Sequence, residues 1–276
     1  MGKHLSIDET ALSKGELYTI ITNKKAKGKK GAIVAILAGT KVEPIIEQLL
    51  KIPRTKRNKV KEITLDMANS MKLIARKCFP KAIQVTDRFH VQKLALEALQ
   101  DIRIKHRWEA IDLENEQIKQ AKINGQEYNP QTFNNGDTRK QLLARSRYLL
   151  YKAPNNWTPN QYVRSKILFE LYPDIKKAYN LVQGLRNIFN TATSIETAYT
   201  KLAHWYKDIE QTGFKAFNTI ANTITLNYRT ILNYFINRST NASAESFNAK
   251  IKAFRSQFRG VKNTEFFLFR LTQIFA

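Results

Sequence analysis

At 276 residues the chain suits one large domain or one domain carrying an insertion, and an apolar fraction of 43% with 15 Phe is ample for a core. Lys and Arg total 46 against 23 acids, a formal charge of +23 with a pI near 10.0, which makes a polyanion, nucleic acid first, the expected partner. No apolar run reaches the length of a membrane span, the start does not read as a signal peptide, and the lone Cys78 excludes an internal disulfide or a cysteine-rich zinc site.

In chain order, His4 to Ile7 followed by Asp8 and Glu9 reads as a strand ending in two acids. Leu17 to Thr22 is a second strand, after a loop containing Lys14 and Gly15, and Ala32 to Leu37 a third beyond a basic turn. Lys41 to Lys51 carries Val42, Ile45, Ile46, Leu49 and Leu50 on one helical face. Two short apolar runs then each end in an aspartate: Ile63 to Leu65 before Asp66, and Ile83 to Thr86 before Asp87. Between them Met71, Leu73, Ile74, Cys78 and Phe79 recur at helical spacing until Pro80. This is a β-α-β unit with an acid at the end of each parallel strand, where α/β sheets place their ligands. The order β-β-β-α-β-α-β-α is that expected of a ribonuclease-H-like core.

From Val91 onward helical patterns dominate. The division expected is 1–108 for the first part of the core, 109–238 for an all-helical insertion, and 239–276 for a closing helical part of the core. Helices are expected over Lys140–Tyr151, Gln161–Tyr172, Ile175–Asn190, Ser194–Glu210 and Phe214–Ile236, with Asn115 to Thr138 an exposed connection. Trp157, Phe169, Tyr172, Tyr179, Phe189, Trp205 and Tyr206 are read as the insertion's core rather than as base-stacking groups. In the closing helix, Ala244 to Gln257, Phe247, Ile251 and Phe254 form the buried face and Glu245, Asn248 and Lys252 a neighbouring one. Arg255, Arg259 and Arg270 add basic surface.

Phosphoryl transfer on two metal ions needs carboxylates converging on cations roughly 3.5–4 Å apart, and hard Mg²⁺ favours oxygen ligands. In the expected core the first and fourth strands set Asp8 beside Asp66, and Glu245 can supply a third acid from a packed helix. Each is ordinary alone: Asp66 could cap a helix, Glu245 suits any first helical turn, and His90 could be structural. Together, in this order on a very basic chain, they point to phosphodiester chemistry.

The residues also carry a family resemblance. The segment from Thr64 to Arg103, with D-R-F-H-V and F-P-x-A, resembles the DDE transposases of bacterial insertion sequences of the ISL3 group. So do the tail, with A-E-S-F-N-A-K-I-K, and the opening, with I-D-E and K-G-E-L-Y. The resemblance implies a transposase that cuts a phosphodiester at the element end and joins the 3′-OH to target DNA. It makes Asp8 the first catalytic acid and Glu245 the glutamate, with two Mg²⁺, replaceable by Mn²⁺. Asp66 is expected as the second acid and metal ligand. Asp87 and His90 match the accessory C/D-x-x-H signature of the Mutator-like and hAT relatives, although Asp87 as the second acid stays open. Arg88, Lys252 and Arg255 are candidate DNA contacts. The resemblance further implies a cytoplasmic, nucleoid-associated bacterial protein acting on element ends and target DNA, as a homodimer or with a separate N-terminal DNA-binding polypeptide. The family's zinc and helix-turn-helix region has no counterpart before Asp8, so an inactive remnant that only binds DNA is the alternative.

Overall fold

Period-two alternation along the first strand turns Leu5 and Ile7 to one face of a sheet and Ser6 and Asp8 to the other. The computed structural model describes residues 1–13, 16–258 and 263–276, so Lys14, Gly15 and Arg259 lie outside the described residues. Five strands, β1 (His4–Ser13), β2 (Glu16–Asn23), β3 (Ile33–Ala38), β4 (Glu62–Leu65) and β5 (Ile83–Thr86), form one sheet in the order β3-β2-β1-β4-β5. The β1–β2 and β2–β3 pairs are antiparallel, and β1–β4 and β4–β5 are parallel. The fold is therefore mixed α/β.

The helices of the first half are α1 (Val42–Leu50), α2 (Arg54–Arg57), α3 (Asn69–Cys78) and the long α4 (Arg88–Ile123). Then come α5 (Arg139–Arg145), α6 (Arg147–Tyr151), α7 (Pro159–Leu171), α8 (Pro173–Thr191), α9 (Ile195–Thr212) and α10 (Lys215–Leu226). The chain closes with α11 (Tyr228–Leu232), α12 (Tyr234–Asn237), α13 (Ala242–Gln257) and α14 (Thr264–Phe275). Two compact units result: Met1–Val91 with Leu226–Ala276, and Gln92–Thr225. No helix among the described residues is long and apolar enough to cross a membrane.

In the first unit both faces of the sheet are covered. Leu5, Ile7, Ile63 and Leu65 pack with Ile45 and Leu49 of α1 and Met71, Ile74 and Cys78 of α3. On the opposite face Tyr18, Ile20 and Ile33 pack with Phe247 and Ile251 of α13 and Phe267 and Leu271 of α14. Burying a phenyl ring such as Phe247 contributes about 2–3 kcal/mol, so α13 is held firmly on β1 and β2. The second unit is helical among its described residues, apart from an isolated bridge between Thr132 and Thr138. Its buried aromatics have satisfied polar ends: Trp205 Nε1 donates to Leu181 O at 2.8 Å, and Tyr179 Oη to Lys152 O at 2.8 Å.

Four local expectations give way. The first strand does not end at Asp8 and Glu9; its hairpin with β2 carries it to Ser13, although its parallel pairing with β4 stops at Ser6. The stretch from Asn115 is not all connection, because Glu116, Gln117, Lys119, Gln120 and Ala121 are good helix formers and extend α4 to Ile123. Nor is it all exposed: Asp137 is fully buried and paired with Arg145 and Arg164. Finally, two expected helices are broken. At Ser146 the hydroxyl bonds back to Leu142 O at 2.6 Å, and at Asn227 and Asn233 the amides serve other partners, Lys72 and Gln84 O.

Candidate active site

The strand register brings three aspartates to one level. Parallel pairing of β1 with β4 runs His4–Glu62, Leu5–Ile63, Ser6–Thr64, so Asp8 and Asp66 each lie two residues beyond the last pair. Pairing of β4 with β5 ends at Leu65–Thr86, one residue short of Asp66 and Asp87. Partners in register share a face, so the three acids follow one another across the carboxyl ends of the parallel strands.

Each acid has its own restraints. Asp8 Oδ1 accepts from Glu9 N at 2.9 Å, and Oδ2 accepts from Asn248 Nδ2 at 2.6 Å, which fastens α13 to β1. Asp66 Oδ1 accepts from Ala68 N at 2.9 Å, closing the turn into α3. Asp87 is buried: Oδ1 accepts from Phe89 N at 3.3 Å at the start of α4, and Oδ2 from Asn241 N at 3.2 Å at the start of α13. His90 lies in the first turn of α4, its ring edge-on to Phe89 at 5.7 Å. Glu245 stands exposed in the first turn of α13.

The electrostatics are those of crowded negative charge. Burial raises the Asp8 carboxyl above the usual range; Asp66 and Asp87 push the same way, against the Glu9 N–H and His90. Glu245 is raised by burial and then by Asp87 and Asp8, again with His90 opposing. Glu9 is likewise raised, by burial, Asp66 and Asp8. Asp87, His90 and Glu245 each offer a ligand atom, and these atoms all lie within 4.8 Å of one another, the group of this kind found among the described residues. Asp8 and Asp66 are not members of that trio.

A divalent cation fits this edge. It would relieve the repulsion that raises Asp8 and Glu245, and its hard oxygen preference matches the carboxylates. An imidazole in the trio suits Mn²⁺ at least as well as Mg²⁺. Two buried amides point the same way. Asn248 Oδ1 and both side-chain polar atoms of Asn241 have no hydrogen-bond partner among the described residues, beside Asp8 and Asp87 respectively. Leaving such groups unpaired costs about 1–3 kcal/mol each, an arrangement more usual where a ligand or water completes the site.

At the opposite end of β4 from Asp66 lies a buried ion pair that sequence reasoning missed. Glu62, at the start of the strand, receives Asn237 Nδ2 at 2.9 Å and has Lys24 Nζ at 3.7 Å and His4 Nδ1 at 3.6 Å. Burial pushes the Glu62 carboxyl up, but bonds from Ser239 and Asn237 and the charge of Lys24 outweigh it and hold it low. Burial lowers Lys24, while Glu62 and Asp87 sustain its charge. The only sequence signal was a lysine-rich turn, which gives no hint that one of its lysines is buried.

The candidate DNA contacts differ in setting. Lys252 is exposed on α13. The Arg88 guanidinium lies 5.8 Å from the centre of the Tyr234 ring, and that of Arg255 4.9 Å from the centre of Phe267.

The family profile for ISL3-type DDE proteins, described as a transposase, matches residues 5–271. The transposase for insertion sequence element IS1001 of Bordetella parapertussis is 24% identical over 277 residues, covering 99% of this chain and 61% of that protein. The chain thus spans somewhat under two thirds of the length of this relative. With nearly its whole length matched by the profile, the chain belongs to the ISL3 family of DDE transposases.

Proposed function

We propose that this chain is the catalytic part of a transposase that cuts DNA at element ends and transfers the strand to target DNA. The strand order β3-β2-β1-β4-β5, with three antiparallel strands followed by two parallel ones, supports a ribonuclease-H-like core. On that reading 1–108 and 239–276 make the core and 109–238 the helical insertion. The observation that carries the proposal is the convergence of Asp8 and Asp66 by register, with Glu245 close enough to both Asp8 and Asp87 to be raised by them.

Asp8, Asp66 and Glu245 would hold the divalent ions. Bound there, the ions supply Lewis acidity that lowers the pKa of an attacking water and offsets charge on the leaving oxygen. Asp87, already committed to two backbone N–H groups, sets the start of α4 and α13 and so aims His90 and Glu245. Asn248 orients Asp8. Arg88, Lys252 and Arg255 lie near enough in sequence to these groups to meet phosphates. A second reading, favoured by the tight Asp87–His90–Glu245 group, makes Asp87 itself a cation ligand and the second acid. The retention of this acid edge argues against a remnant that only binds DNA. Element ends and target are the DNA partners, in a homodimer or with a separate DNA-binding polypeptide, in the bacterial cytoplasm at the nucleoid.

Mn²⁺-dependent nicking of supercoiled plasmid tests the proposal. Asp8→Asn, Asp66→Asn and Glu245→Gln should each cut the rate by at least about 10³-fold, whereas Asp87→Asn should leave a measurable fraction. Full activity in Asp66→Asn with none in Asp87→Asn would transfer the second acid to Asp87. Activity untouched by all four changes would sink the proposal.

A further inference from the structure

The helical unit carries a basic and aromatic groove of its own. On α4, Arg103, Arg107 and Trp108 lie along one helical face; on α6, Arg147, Tyr148 and Tyr151 do the same, and the two stripes line a cavity of about 520 Å³. Buried Arg103 ties α4 to α5: Nε donates to Gln100 Oε1 on its own helix at 2.7 Å and Nη1 to Leu143 O at 2.9 Å. Gln100 Nε2 in turn donates to Arg147 O at 3.3 Å.

Three guanidinium groups are thus gathered, with no carboxylate among the described residues that line the cavity. Burial lowers Arg103, and the charges of Arg107 and Arg147 add to the effect. Trp108 and Tyr148 nevertheless stay 61% and 66% exposed, with the Arg147 guanidinium 5.5 Å from the centre of the Tyr148 ring. Arg103 serves packing, but the outward faces of the Trp108 and Tyr148 rings do not. Mutual repulsion of the arginines is relieved by an anion, and two large exposed rings are covered by a flat apolar face. One ligand offers both: a nucleotide whose base is not stacked in a duplex.

We infer that this groove binds an unpaired nucleotide of DNA, its base stacked on Trp108 or Tyr148 and its phosphate held by Arg107 and Arg147. Inside a duplex the base faces are occupied by their neighbours, so the groove selects single-stranded or frayed ends. The inference stands on the groove alone and does not depend on the acid edge.

The test is titration of the whole chain with fluorescein-labelled oligothymidylate and with a blunt duplex of equal length, followed by anisotropy and tryptophan emission. Single-stranded DNA should quench the emission. At least one of Trp108→Ala and Tyr148→Ala should weaken single-strand binding about ten-fold, the size of one base–aromatic stack, with duplex binding largely retained. Trp108→Phe should keep most of the affinity, and both rings are exposed enough that thermal melts should show an intact fold. The titrations are run without divalent ions, where no nicking is expected, so a failed nicking assay and a failed stacking site remain separable. The inference is overturned if the alanine variants weaken both DNA forms equally, if they change neither, or if oligouridylate binds more tightly than oligothymidylate.

Discussion

Asp8 has a structural task and, on the proposed reading, a chemical one. It receives Asn248 Nδ2 and so anchors α13, yet burial and two neighbouring aspartates raise its carboxyl. A carboxyl whose folded value lies above its unfolded one stabilises the fold while protonated, and that contribution is withdrawn as pH rises through the folded value. Asp8 and Glu245 both shift this way, so the metal-free chain should lose stability on leaving the acid range, and a bound divalent ion should restore it. Melting curves with and without Mn²⁺ should therefore diverge at neutral pH and converge near about pH 4. Asp8→Asn keeps an oxygen for Asn248 while removing the charge. It should raise the metal-free Tm by roughly 1–3 °C at neutral pH and abolish most of the Mn²⁺ effect. A Tm indifferent to Mn²⁺ at every pH would show that the acids do not share a cation.

At the scale of elements, what could be read in advance followed local periodicity. Acids closing Ile63–Leu65 and Ile83–Thr86, and Glu245 sharing a helix face with Asn248, were visible because periods of two and 3.6 need no knowledge of partners. The contact of Asn248 with Asp8 joins residues 240 apart, and the Glu62–Lys24 pair joins a strand start to a turn, so neither leaves a local trace. The Trp108 and Tyr148 groove stayed hidden because each stripe alone is an unremarkable helix face. Asp137 is the plainest case: Asn-Asn-Gly-Asp reads as a loop tip, but its aspartate is buried between α5 and α7. Arg164 Nε donates to Asp137 Oδ2 at 2.7 Å and Arg145 to Oδ1. Burial alone would raise this carboxyl, but the two arginines outweigh it and hold it low. A depressed carboxyl stabilises the fold above its unfolded value and loses that contribution as pH falls through the folded one. Asp137→Asn should lower the Tm by roughly 5 °C at neutral pH, what about 2 kcal/mol amounts to in a protein of this size. The deficit should narrow below about pH 4, where the unfolded parent takes up the proton that the folded carboxyl resists. An equal deficit at all pH values would assign the effect to shape rather than to the ion pairs.

For the whole molecule, the charge of +23 and the acid edge make opposite demands. Sequence-independent attraction to phosphates comes from lysines and arginines across the surface, whereas the acids repel the same phosphates unless a cation lies between them. Binding and cleavage should therefore separate by their ionic requirements. Duplex affinity without divalent ions should fall steeply with monovalent salt. For about six phosphates neutralised, the loss between about 50 and 200 mM salt is on the order of 10³-fold. Glu245→Gln should bind duplex DNA more tightly than the parent when divalent ions are withheld, because one negative charge has left the edge, and the difference should vanish in Mn²⁺. Anisotropy titrations over a salt series, with and without Mn²⁺, measure both slopes. If the parent and Glu245→Gln have the same metal-free affinity while the salt slope stays steep, DNA docks away from the acid edge, and the cation at that edge takes no part in holding it.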